Sequence, residues 1–190
     1  TGAGHNPDET QIGVANVGSL VERWTGQTGG EVWSTPAVVG GVAYVGSDDG
    51  KLYAFDAVGA VGCSGTPKTC QPLWTGATGD LVHSSPTVVG GVVYVGSVDG
   101  KLYAFDAAGT TGCSGSPKTC APLWTATTGD FISASPAVAD GVLYIGSTDG
   151  KLYAFDAAGS SGCSGTPKTC QPLWFAAVGA VYSSAAVVGG

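Results

Sequence analysis

The strongest constraint on the fold of this chain is an internal repeat with a period of fifty residues. The segment KLYAFDAVGAVGCSGTPKTCQPLW at 51–74 recurs with few changes at 101–124 and again at 151–174. A fixed period of about 20–50 residues is typical of solenoids, propellers and similar arrays, in which one copy cannot bury its apolar face alone. The repeat therefore predicts several units stacked against one another.

Each copy fits four short β-strands and shows no helical periodicity. In the copy at 81–130, the dipeptides Gly90-Gly91 and Asp99-Gly100 are typical of two-residue hairpin turns. The segment 101–107 alternates its side chains with the period of two that a strand requires. The four strand segments are 81–89, 92–97, 101–107 and 122–128. Four antiparallel strands in about 50 residues predict the blade of an all-β propeller.

The register of the repeat divides the chain into a lead-in at 1–18 and propeller blades over 19–190. Full blades are predicted at about 31–78, 81–128 and 131–178, with partial strands at 19–28 and 181–190. The first partial segment matches a fourth strand and the second matches a first strand. Because an unpaired strand edge is vulnerable, we expect the blades to be part of a larger propeller. Either the protein continues past Gly190, or blades from several chains complete one another.

The cysteines fall in one motif, CSG[TS]PKTC, that occurs once per repeat. Its Gly and Pro residues favour a turn that brings the two cysteines within bonding range. The predicted local disulfides pair Cys63 with Cys70, Cys113 with Cys120, and Cys163 with Cys170. A zinc thiolate site is the alternative, but zinc requires four ligands and neither His5 nor His83 recurs beside a cysteine pair. Three disulfides predict an oxidising, extracellular or periplasmic compartment.

Composition excludes several classes of partner. Charged residues make up 11% of the chain, its formal net charge is −7, and its lysines form no cluster. Nucleic acids and anionic membranes both require clustered basic residues. No apolar stretch reaches the length of a membrane span, so no membrane insertion is predicted. The N-terminal residues lack the pattern of a signal peptide, as expected of a mature secreted chain.

One tryptophan occupies the same point of every fourth strand: Trp24, Trp74, Trp124 and Trp174. We expect these rings to lie in the interfaces between blades, where their area is buried and the indole N–H can reach a neighbouring carbonyl. A row of exposed rings that stack on sugars or bases is the alternative.

The repeat resembles the tryptophan-docking motif of the quinoprotein β-propellers, which are named after pyrroloquinoline quinone (PQQ). The motif appears as Ala54-Phe-Asp56 followed by Trp74, and recurs as Ala104-Phe-Asp106 with Trp124 and Ala154-Phe-Asp156 with Trp174. A longer loop with the cysteine pair replaces the family's Thr-Gly segment. The resemblance implies a propeller fold, which serves both dehydrogenases and non-catalytic scaffolds.

The dehydrogenases of this family would carry a vicinal Cys-Cys pair, Ca²⁺ ligands from Glu, Asn and Asp, and an Asp base. This chain has no Cys-Cys dipeptide. Its two Asn are Asn6 and Asn16, and its three Glu all lie before the first full blade, the last of them at Glu31. Its aspartates mostly recur with the repeat and fit turns: Asp49, Asp99, Asp149, Asp56, Asp106, Asp156, Asp80 and Asp130. No catalytic, cofactor-binding or metal-binding residue is therefore predicted.

The positions that vary between copies cluster at 81–84 and 131–134 and at loop sites such as 58, 60 and 61. The first cluster lies in the first strand, which is nearest the axis of a propeller. By register, Trp33, His83, Ser133 and Ser183 would line the central channel or its mouth. An active site on a propeller draws different residues from different blades, so these four are the candidates for contact with a ligand. A channel lining that contacts no ligand is the simpler alternative.

These observations predict a non-enzymatic secreted propeller that acts as a structural or protein-interaction scaffold and binds no cofactor. Its partner would be a protein or a second copy, bound through unpaired terminal strands such as 181–189. The alternative is a fragment of a PQQ- and Ca-dependent dehydrogenase whose catalytic blades lie elsewhere. A carbohydrate-binding propeller has the weaker support of four aromatic residues outside the repeat: Trp33, Phe131, Phe175 and Tyr182.

Overall fold

In the computed structural model, which describes residues 15–187, the repeats form three four-stranded antiparallel blades. A short 3-10 helix, Val17–Ser19, and the lone strand β1 (Thr25–Gly26) precede them. Blade 1 contains β2 (Ala37–Val39), β3 (Val42–Ser47), β4 (Lys51–Asp56) and β7 (Trp74–Ala77). Blade 2 contains β8 (Thr87–Val89), β9 (Val92–Gly96), β10 (Lys101–Asp106) and β13 (Trp124–Thr127). Blade 3 contains β14 (Ala137–Ala139), β15 (Val142–Gly146), β16 (Lys151–Asp156) and β19 (Trp174–Ala177).

Each cysteine loop contains a small two-stranded hairpin between the third and fourth strands of its blade. These hairpins are β5 (Cys63–Ser64) with β6 (Thr69–Cys70), β11 (Cys113–Ser114) with β12 (Thr119–Cys120), and β17 (Cys163–Ser164) with β18 (Thr169–Cys170). The four-stranded blades and the absence of any α-helix in residues 15–187 confirm the predicted all-β propeller architecture.

The turn between the first two strands of each blade requires a backbone that glycine adopts readily. Gly90 and Gly91 have φ angles of 60° and 80°, and Val89 pairs with Val92 across the turn. Positive φ at both central residues is the geometry of a two-residue hairpin. In blade 3 the first of these positions is Asp140, with φ of 49°, so a side chain is accommodated there. The turn fixes the register of the strands that follow.

The core lies between the blades. The strand β10 is buried along most of its length, because blade 1 covers one of its faces and blade 3 covers the other. Tyr103 and Phe105 join Trp74 in the cluster between blades 1 and 2, whereas Leu102 and Ala104 join Trp124 in the cluster between blades 2 and 3. The alternation predicted for this strand therefore separates two buried faces.

The ends of the chain differ from the interior blades. The predicted partial strand at 19–28 contributes β1, and most of the lead-in at 1–18 lies outside the described residues. Residues 181–187 form no strand, and the rest of the partial strand expected at 181–190 lies outside the described residues. Within residues 15–187 no strand pair joins blade 3 to blade 1, and the sheets do not close into a ring. In the same part of the chain no helix is long and apolar enough to cross a membrane.

Candidate functional site

The outer strands of blades 1 and 2 each bind the cysteine hairpin of the following blade. The strand β12 of the second loop pairs in parallel with β7 of blade 1, and β18 pairs in the same way with β13 of blade 2. The N–H of Thr75 donates to the carbonyl of Lys118 at 3.0 Å, and the N–H of Thr125 donates to that of Lys168 at 3.0 Å. Each hairpin therefore extends the sheet of the preceding blade, so that two of the sheets have six strands.

The lone strand β1 makes the same contact with the first hairpin. The N–H of Thr25 donates to the carbonyl of Lys68 at 3.0 Å, and β1 pairs in parallel with β6. The segment from Trp24 to Gly26 thus takes the place that the outer strand of a preceding blade would occupy.

Disulfides close all three hairpins: Cys63–Cys70, Cys113–Cys120 and Cys163–Cys170. They confirm the predicted pairing. The second cysteine of each hairpin is buried against the neighbouring blade or β1, and Cys120 belongs to the same cluster as Trp74. The hairpins are therefore part of the contact between blades, whereas their tips are exposed.

A carboxylate at the end of the third strand organises each hairpin loop. In blade 3, Asp156 accepts hydrogen bonds from the backbone N–H groups of residues 158, 160 and 161 and from the hydroxyl of Ser160. The Ser160 hydroxyl, followed by the N–H of Ser161, lowers the pKa of Asp156 to about 2. This aspartate has the turn-forming role that the sequence predicts.

The tryptophans of the outer strands lie against the loop of the following blade. Trp74 lies beside Phe105, with ring centroids 6.2 Å apart, and its Nε1 donates to the carbonyl of Ala107 at 3.3 Å. The ring leaves no space for a side chain at Gly109, where a Cβ atom would lie 2.1 Å from Cδ1 of Trp74. Trp24 lies in the same way against Gly59, and Trp124 lies against Gly159.

Trp174 is the exception among these tryptophans. It is 45% exposed, compared with 2% for Trp124, because no hairpin lies against β19 in the described residues. Its neighbours Leu173, Phe175, Val178 and Tyr182 are also exposed. We call Trp174 and these four neighbours the open face of blade 3.

The residues predicted to line the channel lie near the first strands. Trp33 and His83 are in contact, with ring centroids 6.4 Å apart. Asp48 lies between the two: its carboxylate is 3.1 Å from Nε1 of Trp33 and 3.0 Å from Nε2 of His83. Sequence reasoning missed Asp48, although it departs from the repeat where the other copies have Val98 and Thr148.

The fourth predicted channel residue requires a correction. Val82, Ile132 and Val181 each donate a backbone N–H to the equivalent serine carbonyl of the preceding blade. The residue that follows Val181 is Tyr182, so Tyr182 shares the register of His83 and Ser133, and Ser183 lies one position further along. The last segment has one residue fewer between its tryptophan and its Gly-Gly pair than the second copy has.

A second feature missed from the sequence is a series of hydrogen bonds that joins the first strands across blades. The N–H of Thr35 donates to Oγ of Ser85, that of Ser85 donates to Oγ of Ser135, and that of Ser135 donates to Oγ of Ser184. The recurring Ser and Thr at this position were the available signal.

Two open depressions lie between neighbouring blades near these strands. The larger, of about 350 Å³, is lined in part by Asp80, Asp99, Asp130 and Phe131. Among the described residues, no three His, Cys, Asp or Glu side chains form a group that could hold a metal ion.

Comparison with known proteins agrees with this architecture. Residues 19–112 match a PQQ-type family model described as outer membrane protein assembly factor BamB. Comparison with curated protein sequences gave no significant match.

Three solved structures share the fold. BamB from Moraxella catarrhalis is 20% identical over 78% of this chain, with a TM-score of 0.54. The computationally designed protein Ika4 is 15% identical, with 89% of this chain and 88% of that chain covered and a TM-score of 0.61. A quinohemoprotein alcohol dehydrogenase from Comamonas testosteroni is 23% identical over 78% of this chain, with a TM-score of 0.54.

The chain spans 37% of the BamB structure and 21% of the dehydrogenase. The family model and the three blades both describe the fifty-residue repeat. The chain is therefore a β-propeller protein built from repeats of the PQQ-like family.

Proposed function

We propose that this protein is a non-enzymatic, secreted propeller that serves as a protein-interaction scaffold. The observation that carries the proposal is made on blades 1 and 2, where the outer strand binds a disulfide-closed hairpin through backbone hydrogen bonds and a tryptophan contact. Backbone pairing supplies affinity and side-chain contacts supply specificity when a strand edge binds a partner. The open face of blade 3 presents the same kind of surface without a partner in the described residues.

The comparisons support this proposal. The family model that matches residues 19–112 is described as an outer membrane protein assembly factor, which is a role in protein interaction. The three disulfides favour an extracellular or periplasmic compartment, because reducing compartments keep thiols free.

The alternative function is that of a quinoprotein dehydrogenase fragment. It is favoured by the likeness of 78% of this chain to the quinohemoprotein alcohol dehydrogenase. A shared propeller fold serves many functions, so the likeness does not choose between the two.

Titration of the chain with PQQ and Ca²⁺ tests the proposal. Quinone absorbance should remain that of free PQQ, and a dye-linked assay with short alcohols should give no PQQ-dependent turnover. An apo-quinoprotein dehydrogenase, reconstituted in parallel, serves as the positive control. Stoichiometric binding of PQQ with dye-linked alcohol oxidation would replace the scaffold proposal by the alternative.

A further inference from the structure

The open face of blade 3 has the same backbone geometry as two surfaces that are already covered within the chain. Phe175 pairs with Tyr153 as Thr125 pairs with Tyr103, and Trp174 pairs with Ala154. The N–H of Phe175 therefore points away from β16, in the direction in which Thr125 donates to the carbonyl of Lys168. An edge strand with free N–H and C=O groups is a template for another strand.

Its side chains are more apolar than those of the equivalent covered surface. Phe175 is 58% exposed and stands where blade 2 has Thr125, and Val178 stands where blade 2 has Thr128. Leu173, Trp174 and Tyr182 are exposed as well, and exposed apolar side chains of this size are typical of an interaction site.

The opposite end of the chain presents the complementary surface. Val32 is 47% exposed, whereas its equivalents Val82 and Ile132 are fully buried against Gly46 and Gly96 of the preceding blade. Val38 of β2 is also exposed, whereas its equivalent Val88 in blade 2 is partly buried. Blade 1 therefore has the side chains of a blade that lies against a preceding blade.

Short segments of the chain occupy both surfaces in part. Strand β1, with Trp24, lies on hairpin 63–70 and on Gly59. At the other end, Val181 lies against Gly146 of blade 3. In the same way Val82 lies against Gly46 of blade 1, and Ile132 lies against Gly96 of blade 2. Each segment is short: β1 has two residues, and 181–187 contains no strand.

We propose that the open face of blade 3 binds blade 1 of a second copy of this chain, so that copies associate head to tail. Phe175 would donate its N–H to the carbonyl of Lys68 of the second copy, and Trp174 would lie against its Gly59. On hairpin 63–70 of the second copy, β19 of the first copy would take the place of β1. At Gly146 of the first copy, Val32 of the second copy would take the place of Val181. This inference rests on the proposed scaffold function and names its partner.

The association is heterologous, because two different surfaces of the chain meet. A contact of this kind gives rings when its rotation closes and open chains when it does not. We expect the contact between copies to have the geometry of the two contacts between blades within the chain.

Sedimentation velocity of the full chain tests the proposal. The wild type should form species larger than the 18.6 kDa monomer as its concentration rises. Phe175→Asp should weaken association about tenfold or more, since it places a charge in the contact. Phe131→Asp is the matched control, because Phe131 is 52% exposed and lies outside the open face, and it should leave association unchanged.

A mixing experiment identifies the partner surface. Gly59→Ala closes the position against which Trp174 would lie, so this variant and Phe175→Asp should each associate poorly alone. Their mixture retains one intact junction and should form 1:1 heterodimers. A Gly59→Ala variant that self-associates as well as the wild type would mean that two open faces meet each other. A mixture that stays monomeric while the wild type self-associates would mean that the open face does not bind blade 1. Either result would make the head-to-tail proposal wrong.

A wild type that remains monomeric at every concentration would also overturn the inference. That result, with no response to PQQ and Ca²⁺, leaves the scaffold function standing, whereas quinone-dependent turnover would remove the scaffold function itself.

Discussion

The contact of Trp74 with the loop of blade 2 can be tested by one added methyl group. Gly109 and Gly90 have nearly the same backbone, with φ of 62° and 60°. A Cβ atom at Gly109 would lie 2.1 Å from Cδ1 of Trp74, whereas a Cβ atom at Gly90 would meet nothing within 4 Å. Substitution of each glycine by alanine therefore separates the effect of crowding from the effect of backbone conformation.

The expected magnitudes follow from these two terms. A left-handed alanine costs about 1–2 kcal/mol, and both variants carry this cost. Overpacking of a filled interface adds about 1–3 kcal/mol, and only Gly109→Ala carries it. We expect the free energy of unfolding to fall by about 1–2 kcal/mol in Gly90→Ala and by about 2–5 kcal/mol in Gly109→Ala.

Equilibrium unfolding in guanidinium chloride, with the disulfides intact, measures both values. Far-UV circular dichroism should report the loss of the sheets, and tryptophan fluorescence should report the blade interface. Equal unfolding free energies for the two variants would refute the contact between Trp74 and Gly109.

Three further perturbations test other parts of the structure. Trp124→Ala should cost about 3–5 kcal/mol of unfolding free energy, because it empties a buried interface, whereas the half-exposed Trp174→Ala should cost clearly less in the monomer; thermal denaturation compares them. Replacement of both Cys113 and Cys120 by serine should cost about 2–3 kcal/mol through the lost restriction on the unfolded chain, as measured by chemical denaturation against the wild type. The lowered pKa of Asp156, about 2, means that its contribution to stability is complete above the ordinary carboxyl pKa of about 4 and is lost between about pH 4 and pH 2. Asp156→Asn should therefore show a shallower loss of stability than the wild type in that pH range, and parallel pH profiles would contradict the role given to this carboxylate.

Much of the blade could be predicted because each signal is local. The Gly-Gly turns, the alternation in KLYAFD and the spacing of Cys63 and Cys70 each depend on residues close together in the chain. The turn chemistry sets the strand register, and the short loop brings the two cysteines together.

The pairing of each hairpin with the preceding blade could not be predicted from the same signals. The strands that join a hairpin to the preceding blade are as short as two residues, such as Thr119–Cys120, and show no hydrophobic period. Their pairing depends on how the blades stack. Asp48 meets Trp33 and His83 for the same reason, since the three come from different strands or turns. Ser183 was predicted at the channel position that Tyr182 occupies, because one residue is missing from the last copy. A shift of one residue changes the direction of every side chain in an extended segment.

We infer that each outer strand is a site for a cysteine hairpin and that the site on blade 3 is open. Hydrogen exchange of individual backbone amides, followed by NMR, tests it most directly. The amides of Thr75 and Thr125, which donate to Lys118 and Lys168, should exchange slowly at every protein concentration. The amide of Phe175 should exchange fast in dilute protein and slow down as the copies associate. A Phe175 amide that is already protected in the monomer, or a Thr125 amide that exchanges as fast as that of Phe175, would contradict the account.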